Sequence, residues 1–302
     1  MRPLPWRKKD WISNGKEICK EVCKESFKEI CKKVVKKSVR KAVKKAVRKS
    51  VKKPLKKAVK KSCKDRVYYM KALVLFSGGL DSSVCLGLAV KKYGADEVMA
   101  LSVYYGQKHK KEMEASEKVA AFYGIKRVTL DLGEIFRGSR CSLLEGSAEE
   151  IPHEEYAEQL AKTGGAPVNT YVPFRNGLFL SAAASVGLSN GCEAVYYGAH
   201  ADDAAGNAYP DTSVAFNRLI SEAVYEGSGG AIQIVAPFIN ASKAHVVAVG
   251  SEIGVPFALT WSCYEGHEKA CGTCGTCRDR RRAFEENGLV DPVEYETAEE
   301  KR

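Results

Sequence analysis

From Met70 onward the sequence predicts an α/β fold built on a doubly wound parallel sheet, closed by a C-terminal zinc-binding segment. Three observations predict it. Short, nearly continuous apolar runs recur along the chain, as strands buried on both faces require. Segments with helical apolar spacing separate them, which argues for parallel strands joined by crossovers. Polar stretches rich in Gly, Asp and Ser follow several of the runs, where such sheets bind their ligands.

The elements follow in order. Lys71–Phe76 (KALVLF) is the first strand; the loop Ser77–Asp81 leads into a helix over Ser82–Lys92. Glu97–Tyr105 (EVMALSVYY) is the second strand, Lys110–Tyr123 a helix and Arg127–Leu132 the third strand. Gly133 to Val172 is polar and Gly-rich, the pattern of a long active-site loop. Asn176–Gly187 is Ala-rich and reads as a buried helix. Ala194–Gly198, Val214–Tyr225, Ile232–Ala236 and Lys243–Ile253 complete the alternation as strand, helix, strand and helix.

Composition divides the chain. The net charge of +11 conceals +20 in residues 1–69, with 26 Lys/Arg against 6 Asp/Glu, and −9 in residues 70–302. No run approaches eighteen consecutive apolar residues, which excludes a transmembrane helix. The N-terminus lacks the apolar core of a secretory signal, so the expected location is the cytoplasm. From Lys16 the first region runs in four-residue units (KEIC, KEVC, KKVV, KKAV). A period of four drifts by roughly 40° per unit around a helix, leaving no fixed apolar face, and Pro54 would interrupt it. Such an arm suits nucleic acid or an anionic membrane. The expectation preferred here is a solvated, disordered low-complexity extension, or a start codon assigned upstream of Met70. The predicted organisation is thus 1–69 extension, 70–258 nucleotide-binding α/β domain and 259–302 zinc-binding segment and tail.

Ser77-Gly78-Gly79-Leu80-Asp81-Ser82 joins a buried strand to a helix. Its glycines permit tight turns, and its hydroxyls and helix-terminal N–H groups suit phosphate. It is neither a Walker A loop nor a GxGxxG fingerprint. The alternative is a plain turn capped by Asp81 or Ser82.

Cys263, Cys271, Cys274 and Cys277 form C-x7-C-x2-C-x2-C. Four thiols without a competing carboxylate match a closed tetrahedral zinc site. The spacing also opens a ferredoxin-type run, but the C-x3-C-P continuation is missing. A Cys-x-x-Cys redox pair would not need all four. His267 lies within the segment and reads as a surface residue.

Arg175 and Asn176 precede a helix and suit a carboxylate or phosphate, or else a capped helix with a surface ion pair. His200, Asp202 and Asp203 leave the fourth strand and suit Mg²⁺ with nucleotide phosphates, or positioning of an amine; a polar loop and helix cap is the alternative. Tyr104 and Tyr105 suit stacking on a purine or simple packing.

The SGGLDS loop resembles the pyrophosphate loop of the adenine-nucleotide alpha hydrolase superfamily. The cysteine segment Leu259–Arg278 narrows the likeness to the 7-cyano-7-deazaguanine synthase family. Tyr104–His109, Tyr171–Asn176 and Tyr209–Asp211 do the same. The resemblance spans about Met70 to Phe284, with two departures: Tyr104 stands for Asp, and Thr212 for Cys. It implies an ATP-dependent carbon–nitrogen ligase that converts 7-carboxy-7-deazaguanine and ammonia to the nitrile in queuosine precursor synthesis. It also implies one Zn²⁺ on the four cysteines, ATP with Mg²⁺ as co-substrate, a homodimer, and no need for nucleic acid. By this resemblance Phe76, Ser77, Gly78, Gly79, Leu80, Asp81, Ser82, Ser83, Val84, Cys85 and Leu86 bind ATP. Asp81, Arg175, His200 and Asp202 are the catalytic candidates, and Asp211 a candidate for the base edge. An ATP-dependent tRNA-thiolating enzyme of the same superfamily is the second reading, and a non-catalytic zinc module for nucleic acid the third.

Overall fold

The structure, a computed structural model, describes residues 70–297; the predicted extension at 1–69 lies outside the described residues, and every absence stated below concerns the described ones. Five strands form one parallel sheet in the order β3-β2-β1-β4-β5: β1 Ala72–Leu75, β2 Val98–Tyr104, β3 Lys126–Asp131, β4 Ala194–Tyr196 and β5 Gln233–Val235. Register is set by pairs such as Ala72 with Val98 and Ala72 with Ala194.

The chain winds outward from β1 through β2 to β3, then crosses back to place β4 on the other side of β1. The switch point lies between β1 and β4, where a cleft opens beyond the strand ends. Helices α1 Leu80–Tyr93 and α2 Lys111–Tyr123 cover the first half. Helices α4 Arg175–Ser189, α5 Val214–Gly227 and α6 Lys243–Glu252 serve the second.

The alternation of side chains explains why the strands read as unbroken apolar runs. Ala72, Val74 and Phe76 enter one core with α1 and α6, while Leu73 enters the other beside Met99, Leu101 and Leu180 of α4. Burial on both sides removes any polar alternation.

Two helices lie where the sequence predicted none. In the stretch expected as one loop, Tyr156–Thr163 forms α3, because Tyr156 and Leu160 lie on one face and pack with Val168, Ala208 and Tyr209. In the C-terminal segment, Gly275–Glu286 forms α7, whose first turn holds Cys277 and whose Ala283 and Phe284 enter the α1 core. The Ala-rich helix α4 is buried on one face only, since Ser181, Ser185 and Ser189 are exposed. Their hydroxyls donate to carbonyls four residues back.

A buried cation clamps the C-terminal segment. Arg280 is 2% exposed and pairs with both Asp291 oxygens at 2.8 and 3.0 Å, while donating to Thr260 Oγ1 at 2.7 Å. No helix among the described residues is long and apolar enough to cross a membrane.

Candidate active site and four-cysteine centre

A cavity of about 220 Å³ lies beyond the strand ends at the switch point. Its lining joins residues following β1, β2 and β4, the starts of α2, α4 and α6, and the C-terminal segment at Trp261, Ser262, Tyr264 and Thr276.

The glycine loop is shaped by close backbone approach. Gly78 has φ +87°, and a Cβ there would meet Ser116 N at 2.4 Å and Glu112 O at 2.6 Å, so the loop rests directly on α2. Gly198 after β4 is equally confined, since its Cβ would lie 2.9 Å from the Asp81 carbonyl carbon. Ser77 Oγ accepts from Gly79 N at 3.2 Å and meets Ser82 Oγ at 3.1 Å. Gly79 caps α1 without a side-chain bond, leaving the helix N-terminus open toward the cavity. That is the geometry that receives anionic oxygens. Of the predicted nucleotide residues, Phe76, Ser77, Gly79, Asp81 and Ser82 line the cavity, whereas Leu80, Val84, Cys85 and Leu86 pack into the core.

Behind the loop lies a charged cluster. Asp81 Oδ2 is 3.3 Å from Lys243 Nζ, and Asp81 Oδ1 is 3.6 Å from His200 Nε2, which is 3.3 Å from Asp203 Oδ1. Burial alone would raise the Asp81 carboxyl, but Lys243 and His200 hold it below the usual range. Lys243 loses charge stability through burial and regains more from Asp81, Asp203 and Asp279, so it stays firmly protonated. Asp81 Oδ1 and both ring nitrogens of His200 are buried without a hydrogen-bond partner. An orphaned carboxylate oxygen beside a phosphate-shaped loop fits a divalent cation or phosphate-borne donor. Asp202, predicted beside His200, turns elsewhere: its Oδ2 accepts from Lys243 N at 2.8 Å and caps α6 together with Ser242.

The opposite wall carries Arg175 and Glu112. Arg175 opens α4 and lies over the Tyr105 ring at 5.4 Å. Burial disfavours its charge, yet Tyr105, Asp211, Tyr264 and Glu112 more than restore it. Asn176 lines the cavity and its N–H donates to Asp211 Oδ2 at 2.8 Å, so the buried Asp211 carboxylate is engaged at the start of α4. Glu112, in the first turn of α2, faces the same space. Tyr105 packs beneath Arg175, whereas Tyr104 donates to Glu145 at 3.1 Å. Sequence reasoning missed Glu112 and Lys243 as site residues. The available signal was position, because each opens a helix that follows a strand end.

Cys263, Cys271, Cys274 and Cys277 are buried, and their sulfur atoms lie within 4.8 Å of one another. Cys271 Sγ and Cys277 Sγ are 4.0 Å apart, close to the edge of a tetrahedron with Zn–S bonds of about 2.3 Å. Backbone N–H groups of Cys271 and Cys274 point at Cys263 Sγ and Cys271 Sγ, at 3.3 Å in both cases, stabilising thiolate charge. The donor set therefore fits a soft, tetrahedral metal ion. His267 is not part of it; its Nδ1 meets Glu296 at 2.7 Å on the surface. The cysteine segment also braces the glycine loop, as Trp261 N donates to Gly78 O at 3.0 Å.

The molecule is thus a parallel α/β protein with a glycine loop at its switch point and a four-cysteine segment whose Trp261, Ser262, Tyr264 and Thr276 line the cavity. The sequence model of the family described as Queuosine biosynthesis protein QueC matches residues 71–288. The chain belongs to that family. It is 40% identical over 225 residues to a 7-cyano-7-deazaguanine synthase of Archaeoglobus fulgidus, covering 74% of this chain and 90% of that one. The Oceanobacillus iheyensis protein of the same name is 39% identical over 227 residues, covering 74% and 98%. Among solved structures, an NMN synthetase from Francisella tularensis matches at 15% identity and a TM-score of 0.40, covering 73% of this chain and 78% of that one; the family assignment rests on the sequence matches.

Proposed function

We propose that this protein uses ATP and ammonia to convert 7-carboxy-7-deazaguanine to 7-cyano-7-deazaguanine in the cytoplasm, as a homodimer. The observation that carries the reading is the convergence of the glycine loop, Arg175 and the cysteine segment on one cavity. Relatives that share this sequence over most of their length bear the matching name. Residues 70–258 serve as the nucleotide-binding domain and 259–302 as the metal-binding segment, with 1–69 dispensable for turnover.

A carboxylate is a poor electrophile, and it must first gain a leaving group. In this reading the N–H groups at the start of α1 and the hydroxyls of Ser77 and Ser82 cradle the phosphates of ATP, and Lys243 offsets their charge. Arg175 orients the substrate carboxylate so that its oxygen attacks phosphorus. Ammonia then displaces the activated oxygen to give the amide, and a second activation removes the remaining oxygen. Mg²⁺ held by Asp81 and Asp203 would share the phosphate charge. The four cysteines would hold Zn²⁺ as a tetrahedral cross-link that fixes Trp261 against the loop.

The test is incubation of the full chain and of Met70–Arg302 with ATP, Mg²⁺, an ammonium salt and 7-carboxy-7-deazaguanine, followed by mass spectrometry. A product of nitrile mass from both proteins is expected. ATP consumption that requires tRNA, with no nitrile, would instead identify an RNA-modifying enzyme.

A further inference from the structure

Converting a carboxylate and ammonia to a nitrile removes every hydrogen from the incoming nitrogen. One proton leaves when the ammonia adduct collapses to the amide, and two more when the amide is activated and eliminated. The two carboxylate oxygens depart on phosphorus, and no oxidant or reductant is involved. A base near the reacting carbon is therefore needed repeatedly.

The carboxylates in and next to the cavity divide into engaged and available. Asp81 and Asp203 lie beside Lys243 and His200 on the phosphate side. Asp211 accepts from Asn176 N. Glu112 stands on the other wall, where its titratable and charged neighbours are Arg175 of α4 and Tyr105 after β2. Its position is fixed by the loop itself, since its own carbonyl backs Gly78. A carboxylate beside the cation that holds the substrate carboxylate lies beside the carbon under attack.

We propose that the Glu112 carboxylate is the general base that takes protons from the amine nitrogen, an inference that rests on the function proposed above. Its oxygen accepts an N–H proton as the C–N bond forms and the activated oxygen leaves, a second as the amide oxygen is activated to give the imidate, and a third as the imidate eliminates to C≡N. Between steps it releases the proton to solvent through the open cavity. Burial raises the Glu112 carboxyl to about 7, against the pull of Arg175, so both protonation states are accessible at neutral pH. Asp203 is the alternative base, but it lies beside Lys243 behind the glycine loop, and His200, between Asp81 and Asp203, does not line the cavity.

Full-length protein and its Glu112→Gln and Glu112→Asp variants, all loaded with metal, would be compared for nitrile formation across pH 6–8 at constant free ammonia. Wild-type kcat should rise with pH through an acid limb near 7, as Glu112 loses its proton. Glu112→Gln should lower kcat by about 100-fold or more, the usual worth of a general base, with KM for ATP within about threefold and the limb abolished. Glu112→Asp should restore part of kcat together with an acid limb, which a packing defect would not. A Glu112→Gln kcat within about threefold of wild type, or a flat wild-type profile, would overturn the proposal. Should Glu112→Gln fail to fold, a Glu112→Asp protein without an acid limb would overturn it as well. Wild-type protein that makes no nitrile sinks the proposed function and this inference together; normal wild-type turnover with an unimpaired Glu112→Gln sinks this inference alone.

Discussion

The four-thiol centre and the strand-end cavity meet at Trp261–Tyr264, yet they are built on opposite terms. The thiols come from fifteen consecutive residues, are buried together, and are solvated by neighbouring N–H groups. The cavity draws its charged groups from α1, α2, α4, α6 and the β4 loop, and buried polar atoms of Asp81 and of His200 behind it have no hydrogen-bond partner. One region is closed and spends its polarity inward; the other keeps polarity available for something that arrives. Both are rich in ionisable groups, but only the second leaves such groups facing open space.

The largest expected effect would come from opening the closed region. Cys274→Ser should release the metal and lower the melting temperature by more than about 10 °C, given that structural zinc contributes roughly 10–16 kcal/mol to small zinc modules. Metal analysis and a thermal melt would check this. Chelation of the wild-type protein should raise KM for ATP as well, because Trp261 would no longer hold Gly78. An unchanged KM after complete metal loss would uncouple the two regions.

Next in size is the buried clamp between them. Arg280→Met takes the cation from Asp291, which keeps only the Tyr295 hydroxyl and Val293 N–H, and should cost about 3 kcal/mol by denaturant unfolding. Gly78→Ala acts from the cavity side: its methyl would strike the α2 backbone at a left-handed φ, for about 2–3 kcal/mol. Unlike Arg280→Met, it should also weaken ATP binding, measured by calorimetry, while leaving metal content intact. The smallest effect is Asp202→Ala, which removes one cap of α6 for about 1 kcal/mol in a thermal melt. A much larger loss would mean that Asp202 does more than cap.

What was legible in the sequence follows the same division. The clustering of the four cysteines was readable because they are local in sequence, and the turn at Ser77–Asp81 because a loop between strand and helix carries its own glycines. All five strands and the helices framing them were visible from apolar spacing, to within a few residues at each end. Helix α3 was not, because its apolar face meets Val168 and Tyr209, partners that are distant or follow it in the chain. Helix α7 was hidden by a charged run, Arg278–Arg282, in which Arg280 turns inward to a partner that only the folded chain supplies. Lys243 and Glu112 were missed for the same reason, since an ordinary Lys or Glu at a helix start becomes special only through what faces it.

The hydrogen bond from Trp261 to Gly78 also bears on how the chain is made. A ribosome synthesising this protein completes the glycine loop some 180 residues before it reaches Trp261, and Thr276 comes later still. Until the last strand–helix unit and the segment after it have emerged, the strand-end cavity lacks one wall. A chain released early, by a broken message or a stalled ribosome, therefore carries the glycine loop without the wall that completes the cavity. Completeness of translation is written into the site itself.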